Sequence, residues 1–162
     1  MFVPEHVHAK NSYPGNPSTE LEHQASSRSV FHLPEIIEDI QASANDPTHE
    51  GRTRVLIDSP DHVTIVSGYQ PGEGEVLHAH PTRNTLLFLA GTFDLWLIGA
   101  EGEEEHHETY PGMMVALDRG QPHRVQARAD QEGLSIVMVS IVEGMPTGAP
   151  GYSVPVDLPP SL

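Results

Sequence analysis

Two histidines stand at i and i+2 in the run Val76-Leu77-His78-Ala79-His80. On an extended chain that spacing turns both imidazoles to one face, ~7 Å apart along the backbone, where a single metal ion can accept both. A third histidine, His123, follows Gly120-Gln121-Pro122 at the head of another β-like run. Where those two strands are neighbours, three neutral imidazoles converge. Three nitrogen donors leave coordination positions open, which is the arrangement of a catalytic centre rather than a closed structural one. The chain has 11 histidines against 8 Lys+Arg, and it has no cysteine. Thiolate zinc, iron–sulfur clusters, disulfides and thiol catalysis are therefore excluded. The remaining close histidine pairs read differently. His6-Val7-His8 has the same spacing but lies in an irregular stretch with no third partner, and His106-His107 beside Glu103-Glu104-Glu105 is expected on a solvated hairpin.

The elements that must position these side chains are short. From about Arg54 onward, β-like runs alternate with turn signals: 54–58, 62–69, 76–80, 85–89, 92–98, 113–117, 123–128 and 134–142. In the second of these, Val63, Ile65 and Tyr69 share one parity. Gln70-Pro71-Gly72-Glu73-Gly74 forms a turn and 99–105 an acidic hairpin loop. Eight or nine short strands separated by Gly/Pro turns predict an antiparallel all-β fold, closed or sandwich-like. One helix is predicted over 34–44, with Pro34 in the first turn, an early Glu35, and Ile36, Ile37 and Ile40 on one face. The expected organisation is an irregular N-terminal arm over 1–30, a β domain with its preceding helix over 31–144, and a proline-rich tail over 145–162 lying extended on the surface.

The spacing of the histidines resembles that of a known family. Gly72, five residues, His78-Ala79-His80, three residues, Asn84, six residues and Gly91 resembles the first motif of the cupin superfamily, in which glutamate is usual at the Asn84 position. Gly112, five residues, Asp118-Arg119-Gly120, two residues and His123 resembles the second, with Asp118 where proline is usual. The likeness covers roughly residues 54–142. It implies a cupin-type jelly-roll β-barrel holding one divalent metal ion through His78, His80 and His123, and commonly a homodimer. The usual fourth ligand is missing, since neither Asn84 nor Thr85 offers a carboxylate. An ion held by neutral imidazoles alone keeps its full charge, which suits an anionic bidentate substrate and leaves room for O2. Three-histidine members of the superfamily include non-haem iron dioxygenases.

Strand parity outlines the expected pocket. With the histidines inward, Asn84, Leu86 and Phe88 share the inward face of their strand and Val125 shares that of His123. Tyr69 and Phe93 are expected to join them from other strands. Tyr69, Phe88, Phe93 and Val125 are thus candidates for contact with substrate, with Asn84 as a weak oxygen ligand or a donor behind the ligands. Arg83 and Arg124 alternate outward and are expected in surface ion pairs, and Trp96 also faces out.

Charge narrows the partners. Over 162 residues there are 23 Asp+Glu against 8 Lys+Arg, a net charge of −15. That balance argues against nucleic acid and against an anionic membrane surface. No cationic segment followed by an apolar run opens the sequence, and no apolar stretch reaches about 18 residues, so a cytoplasmic location is expected. The functional expectation is a metal-dependent enzyme, foremost an Fe2+ dioxygenase acting with O2 on a small enolisable or aromatic carbonyl compound. A non-redox isomerase or lyase using Zn2+, Mn2+ or Ni2+, and a non-catalytic small-ligand binder, are the alternatives.

Overall fold

The computed structural model describes residues 30–59, 62–142 and 154–155. The arm expected over 1–30, apart from its last residue, and most of the tail lie outside them, as does the His6/His8 pair. Ten strands occur among the described residues: β1 (Thr53–Ser59), β2 (His62–Tyr69), β3 (His78–Ala79), β4 (Arg83–Ala90), β5 (Phe93–Ile98), β6 (Glu104–Glu108), β7 (Met114–Leu117), β8 (His123–Ala127), β9 (Ser135–Val142) and β10 (Val154–Pro155). They form two five-stranded sheets, ordered β1-β2-β9-β4-β7 and β10-β3-β8-β5-β6. Every pairing is antiparallel.

Alternation explains why these two sheets face each other. The first contributes Tyr69, Leu86, Phe88, Leu117, Val137, Val139 and Ile141 to a buried cluster, and the second contributes Phe93, Leu95, Val125 and Ala127. With a side-chain period of two, the intervening residues point away from that core. The expected barrel is thus a two-sheet jelly roll. The sheets close by packing rather than by one continuous hydrogen-bonded ladder.

The outer face of the first sheet carries helix α1 (Leu33–Ala42), whose span differs from the expected 34–44 only at its ends. Ile40 is fully buried there against Leu56, Val66, Leu134 and Ile136. Gly68 lets the helix approach, because a Cβ at that position would lie 2.7 Å from the Ile40 side chain. After the helix, Arg52 is swallowed whole. Its Nε donates to the Gly68 carbonyl at 3.1 Å, its Nη1 donates to the Asp46 carbonyl, and its Nη2 lies 2.8 and 2.6 Å from the two Glu73 oxygens. Glu73 in turn accepts the Gln70 amide at 2.7 Å, so one buried guanidinium ties the helix loop to the turn that leads toward His78.

Two strands depart from expectation. β6 occupies part of the stretch read as a hairpin loop, so His106 and His107 lie on a strand rather than in a loop. Its sequence, Glu-Glu-His-His-Glu, offers no apolar face. The strand exists because the β5 ladder pairs it, and its charges suit an exposed sheet edge. β10 falls inside the expected tail and pairs with β3.

Candidate metal centre

β3 and β8 are neighbours, and His78 pairs directly with His123. His80 follows β3, where its carbonyl accepts the Gly120 amide at 2.8 Å. Gly120 adopts φ of +71°, a left-handed turn that glycine makes without strain, and the turn brings His123 back toward His80. The three rings cluster with centroids 4.3 Å apart for His78/His123, 4.9 Å for His78/His80 and 5.2 Å for His80/His123. One nitrogen of each falls within 4.8 Å of the others, and all three residues are buried. Among the described residues no other three-membered group of His, Asp or Glu side chains comes together in this way.

Hydrogen bonding orients two of the rings for ligation. His78 Nδ1 lies 2.9 Å from the Val76 carbonyl, and His123 Nδ1 lies 2.9 Å from the Gln121 carbonyl. A carbonyl only accepts, so each Nδ1 carries the proton and each Nε2 keeps a lone pair. Burial, reinforced by His78 alongside, pulls the His123 pKa down from 6.5 to about 3, so its imidazole is neutral at neutral pH. The donor set thus fits a divalent transition metal: three buried imidazoles, two of them in the ligating tautomer.

Asn84 stands on β4 opposite Leu117, 2% exposed, and its Nδ2 has no hydrogen-bond partner. A buried amide left unpaired is costly, and a ligand oxygen would satisfy it. The other pocket candidates are buried as well. Phe88, Phe93 and Val125 belong to the buried cluster between the sheets, and Tyr69 packs edge-on against Phe93 at 5.6 Å. The Tyr69 hydroxyl is spent on Glu75, to which it donates a short hydrogen bond. Burial, followed by the adjacent Glu75 carboxylate, pushes the Tyr69 pKa well up, so the phenol stays protonated.

Glu75 is the residue that alternation did not find. Its other oxygen lies 3.5 Å from His78 Nε2. Three positions before His78, it belongs on the opposite face of a regular strand. However, Gly74 is bridged to Gln126 while His78 pairs with His123, so four residue steps (74 to 78) oppose three (123 to 126). The one extra residue is a β-bulge, and it reverses the parity between Glu75 and His78. The available signal was the pair of glycines flanking Glu73. A Cβ on Gly74 would sit 2.7 Å from the Val125 carbonyl, so the strands approach this closely only with glycine there.

On the outer face of the second sheet, Arg124 stacks over the Trp96 ring at 4.0 Å. Arg83 lies 3.9 Å from Asp118 at the surface, as parity led one to expect. His106 pairs with Asp94 at 2.8 Å and His107 with Glu105 at 3.4 Å. No helix among the described residues is long and apolar enough to cross a membrane.

Residues 65–140 match the family model described as the cupin domain. Among solved structures, it is similar to the polyketide cyclase RemF of Streptomyces resistomycificus, with a TM-score of 0.50 and 21% identity over 67% of this chain and 72% of that one. A mutant of Bacillus subtilis oxalate decarboxylase OxdC gives a TM-score of 0.52 and 17% identity over 64% of this chain. This chain spans 28% of that decarboxylase, and also 28% of the Lactobacillus farciminis oxalate decarboxylase, with which it shares 22% identity over 57% of its own length at a TM-score of 0.49. At these identities the likeness is one of fold. No curated protein sequence matches the chain.

The neutral, buried histidines make stability depend on pH in the chelator-treated protein. His49, packed against Tyr69 with ring centroids 4.6 Å apart, also has its pKa lowered, chiefly by burial. For both His49 and His123 the folded pKa lies below the unfolded one, so the unfolded chain binds more protons as pH falls. Stability is therefore lost on acidification from about pH 6.5, and for His123 the loss continues to about pH 3. Between pH 6.5 and 5, His123 alone is expected to cost about 2 kcal/mol. Urea unfolding in chelator at the two pH values checks this, and His123→Asn should flatten the dependence.

Proposed function

We propose that this protein is a metal-dependent enzyme acting on small molecules, and specifically a mononuclear Fe2+ dioxygenase that uses O2 to oxidise or cleave an enolisable or aromatic carbonyl compound. The reading is supported by one observation above others: three buried imidazoles converge, and Asn84, at the motif position where a carboxylate ligand is usual, is itself buried with an unpartnered amide. A redox-active divalent ion bound there supplies Lewis acidity and the electrons that activate O2. The residues of the chain do the positioning. The Val76 and Gln121 carbonyls hold His78 and His123 with Nε2 available. Asn84 Nδ2 is a neutral donor for a substrate oxygen, which matches the charge of an enolate better than a carboxylate would. Leu86, Phe88 and Val125 belong to the buried apolar cluster between the sheets.

A second reading draws on Glu75. An anionic oxygen beside the imidazoles suits a redox-inert cation as well as Fe2+, so a Lewis-acid isomerase or lyase using Zn2+, Mn2+ or Ni2+ is the competing assignment.

Elemental analysis of protein purified without a metal-binding tag, followed by anaerobic Fe2+ reconstitution and O2-electrode assays with small diketones and hydroxyketones, separates the readings. Stoichiometric iron with substrate-dependent O2 uptake is the expected result. Turnover without O2 on a redox-inert metal would move the assignment to the isomerase or lyase. Failure to bind any metal after reconstitution would leave a non-catalytic small-ligand binder.

A further inference from the structure

We propose that the outer face of the second sheet carries a binding groove of its own, separate from the histidine trio, that takes a small carboxylate with an apolar body. The groove follows from the bulge. Gly74 is bridged to Gln126 and His78 pairs with His123, so Glu75, Val76 and Leu77 loop out against only Arg124 and Val125. Between the looped segment and β8 lies a cavity of about 420 Å3, bordered by Gly72, Gly74, Val76, Leu77, Arg124 and Gln126. That volume falls in the range of small-ligand sites, about 300–1,000 Å3. His123 and Val125 on β8 are buried, whereas Arg124 and Gln126 alternate to the other face, so the groove and the histidines lie on opposite sides of the strand. Hydrogen bonds tie the two walls together. The Glu75 amide donates to the Val125 carbonyl at 2.9 Å, and Gln126 Nε2 donates to the Gly72 carbonyl at 3.1 Å.

Arg124 sets the charge of the occupant. In the ladder Trp96 stands between Arg124 and His106, and the guanidinium lies 4.0 Å over the indole. Stacking engages the face of the guanidinium and leaves its N–H donors at the edge, in the planar fork that meets a carboxylate. Glu75 also borders the groove, but its oxygens are turned to the Tyr69 hydroxyl and the His78 ring. The apolar wall is Val76, 71% exposed, with the partly buried Leu77 beside it, and an alkyl or aryl body laid on them removes that surface from water. The net charge of −15 repels anions at long range. At physiological salt that field is screened beyond about 8 Å, so the group in contact decides the sign.

Trp96 is the only tryptophan in the chain, and its stacking on Arg124 makes its fluorescence a reporter of the groove. Octanoate is titrated into chelator-treated protein at physiological ionic strength, with acetate as the anion that lacks an apolar body. Wild type should give a saturable change with a midpoint of about 1–5 mM, the strength a ligand of this size reaches in an open site, and acetate should give none at the same concentrations. Arg124→Gln is expected to raise the midpoint at least roughly tenfold, as loss of a charged hydrogen-bond partner does. Val76→Asp, at an exposed position that the core does not use, should raise it as well by placing a like charge on the apolar wall. His80→Ala should leave it within about twofold. No saturable change in wild type, or a midpoint unchanged in either Arg124→Gln or Val76→Asp, would overturn the proposal. A response lost in His80→Ala but kept in Arg124→Gln would put octanoate at the histidines and overturn it equally. Because the titration is made without metal, each of these results leaves the reading of the metal centre untouched.

Discussion

Truncating His123 to alanine is expected to abolish stoichiometric metal binding, lowering divalent-cation affinity by more than about 100-fold, beyond the range found for groups that merely support ligands. The reason is geometric. His123 is the one member of the trio contributed by β8. It sits 4.3 Å from the His78 ring and 5.2 Å from the His80 ring, so without it the remaining imidazoles come from a single short segment. The variant should still fold. The lost side chain is a neutral one whose own hydrogen-bond partner is the Gln121 carbonyl, and Leu95, Phe93 and Ile141 keep the core between the sheets. Metal-dependent stabilisation is the sharpest readout. At 100-fold excess over Kd, an ion that binds only the folded state stabilises it by about 2.7 kcal/mol. For a domain of this size that raises Tm by roughly 5–10 °C. Thermal unfolding with and without metal should show that rise in wild type and none in His123→Ala, while the two proteins melt close together in chelator.

A larger effect on stability is expected at Arg52, whose hydrogen bonds go to Asp46, Gly68 and Glu73 rather than to the ligands. Its side chain is 2% exposed against 30% for Glu73, and it satisfies the Asp46 and Gly68 carbonyls as well as both Glu73 oxygens. Arg52→Met keeps volume but leaves two carbonyls and a partly buried carboxylate without their donor. Removing one partner from a buried pair costs about 3–5 kcal/mol, and the partial exposure of Glu73 places the expected loss near the lower end. Urea unfolding measures it. Glu73→Gln in the same background should recover part of the loss, with a coupling energy above roughly 1 kcal/mol in the double-mutant cycle. Because the pair anchors the turn preceding Glu75, Arg52→Met should also weaken metal affinity without touching a ligand.

Some of this was readable in the chain because the physics is local. β2, β4, β5 and β9 announce themselves by apolar alternation, and the structure places each within a residue or two of its expected span. The helix follows from Pro34 and the isoleucine stripe, and Ile40 is the side chain it buries. β6 was not readable. Glu104–Glu108 has no apolar residue, and its extended form comes from β5 alone. The same holds for Arg52, which looks like a surface cation until three separate segments close around it.

The histidine trio shows where local information ends. Residue type and the i, i+2 spacing were enough to name His78, His80 and His123, since a strand turns alternate side chains to one face whatever lies around it. Which strands adjoin, and on which face Glu75 falls, are long-range matters. β3 meets β8 across more than forty residues of sequence, and the bulge at Gly74 is visible only as a mismatch in pairing with Gln126. Alternation presumes a regular strand, so a single inserted residue reverses its conclusion. The sequence by itself determined that three imidazoles share one all-β domain without cysteine or a basic surface. Only the tertiary structure decided that a carboxylate stands beside His78, because that placement depends on the register between two strands rather than on the order of residues in either.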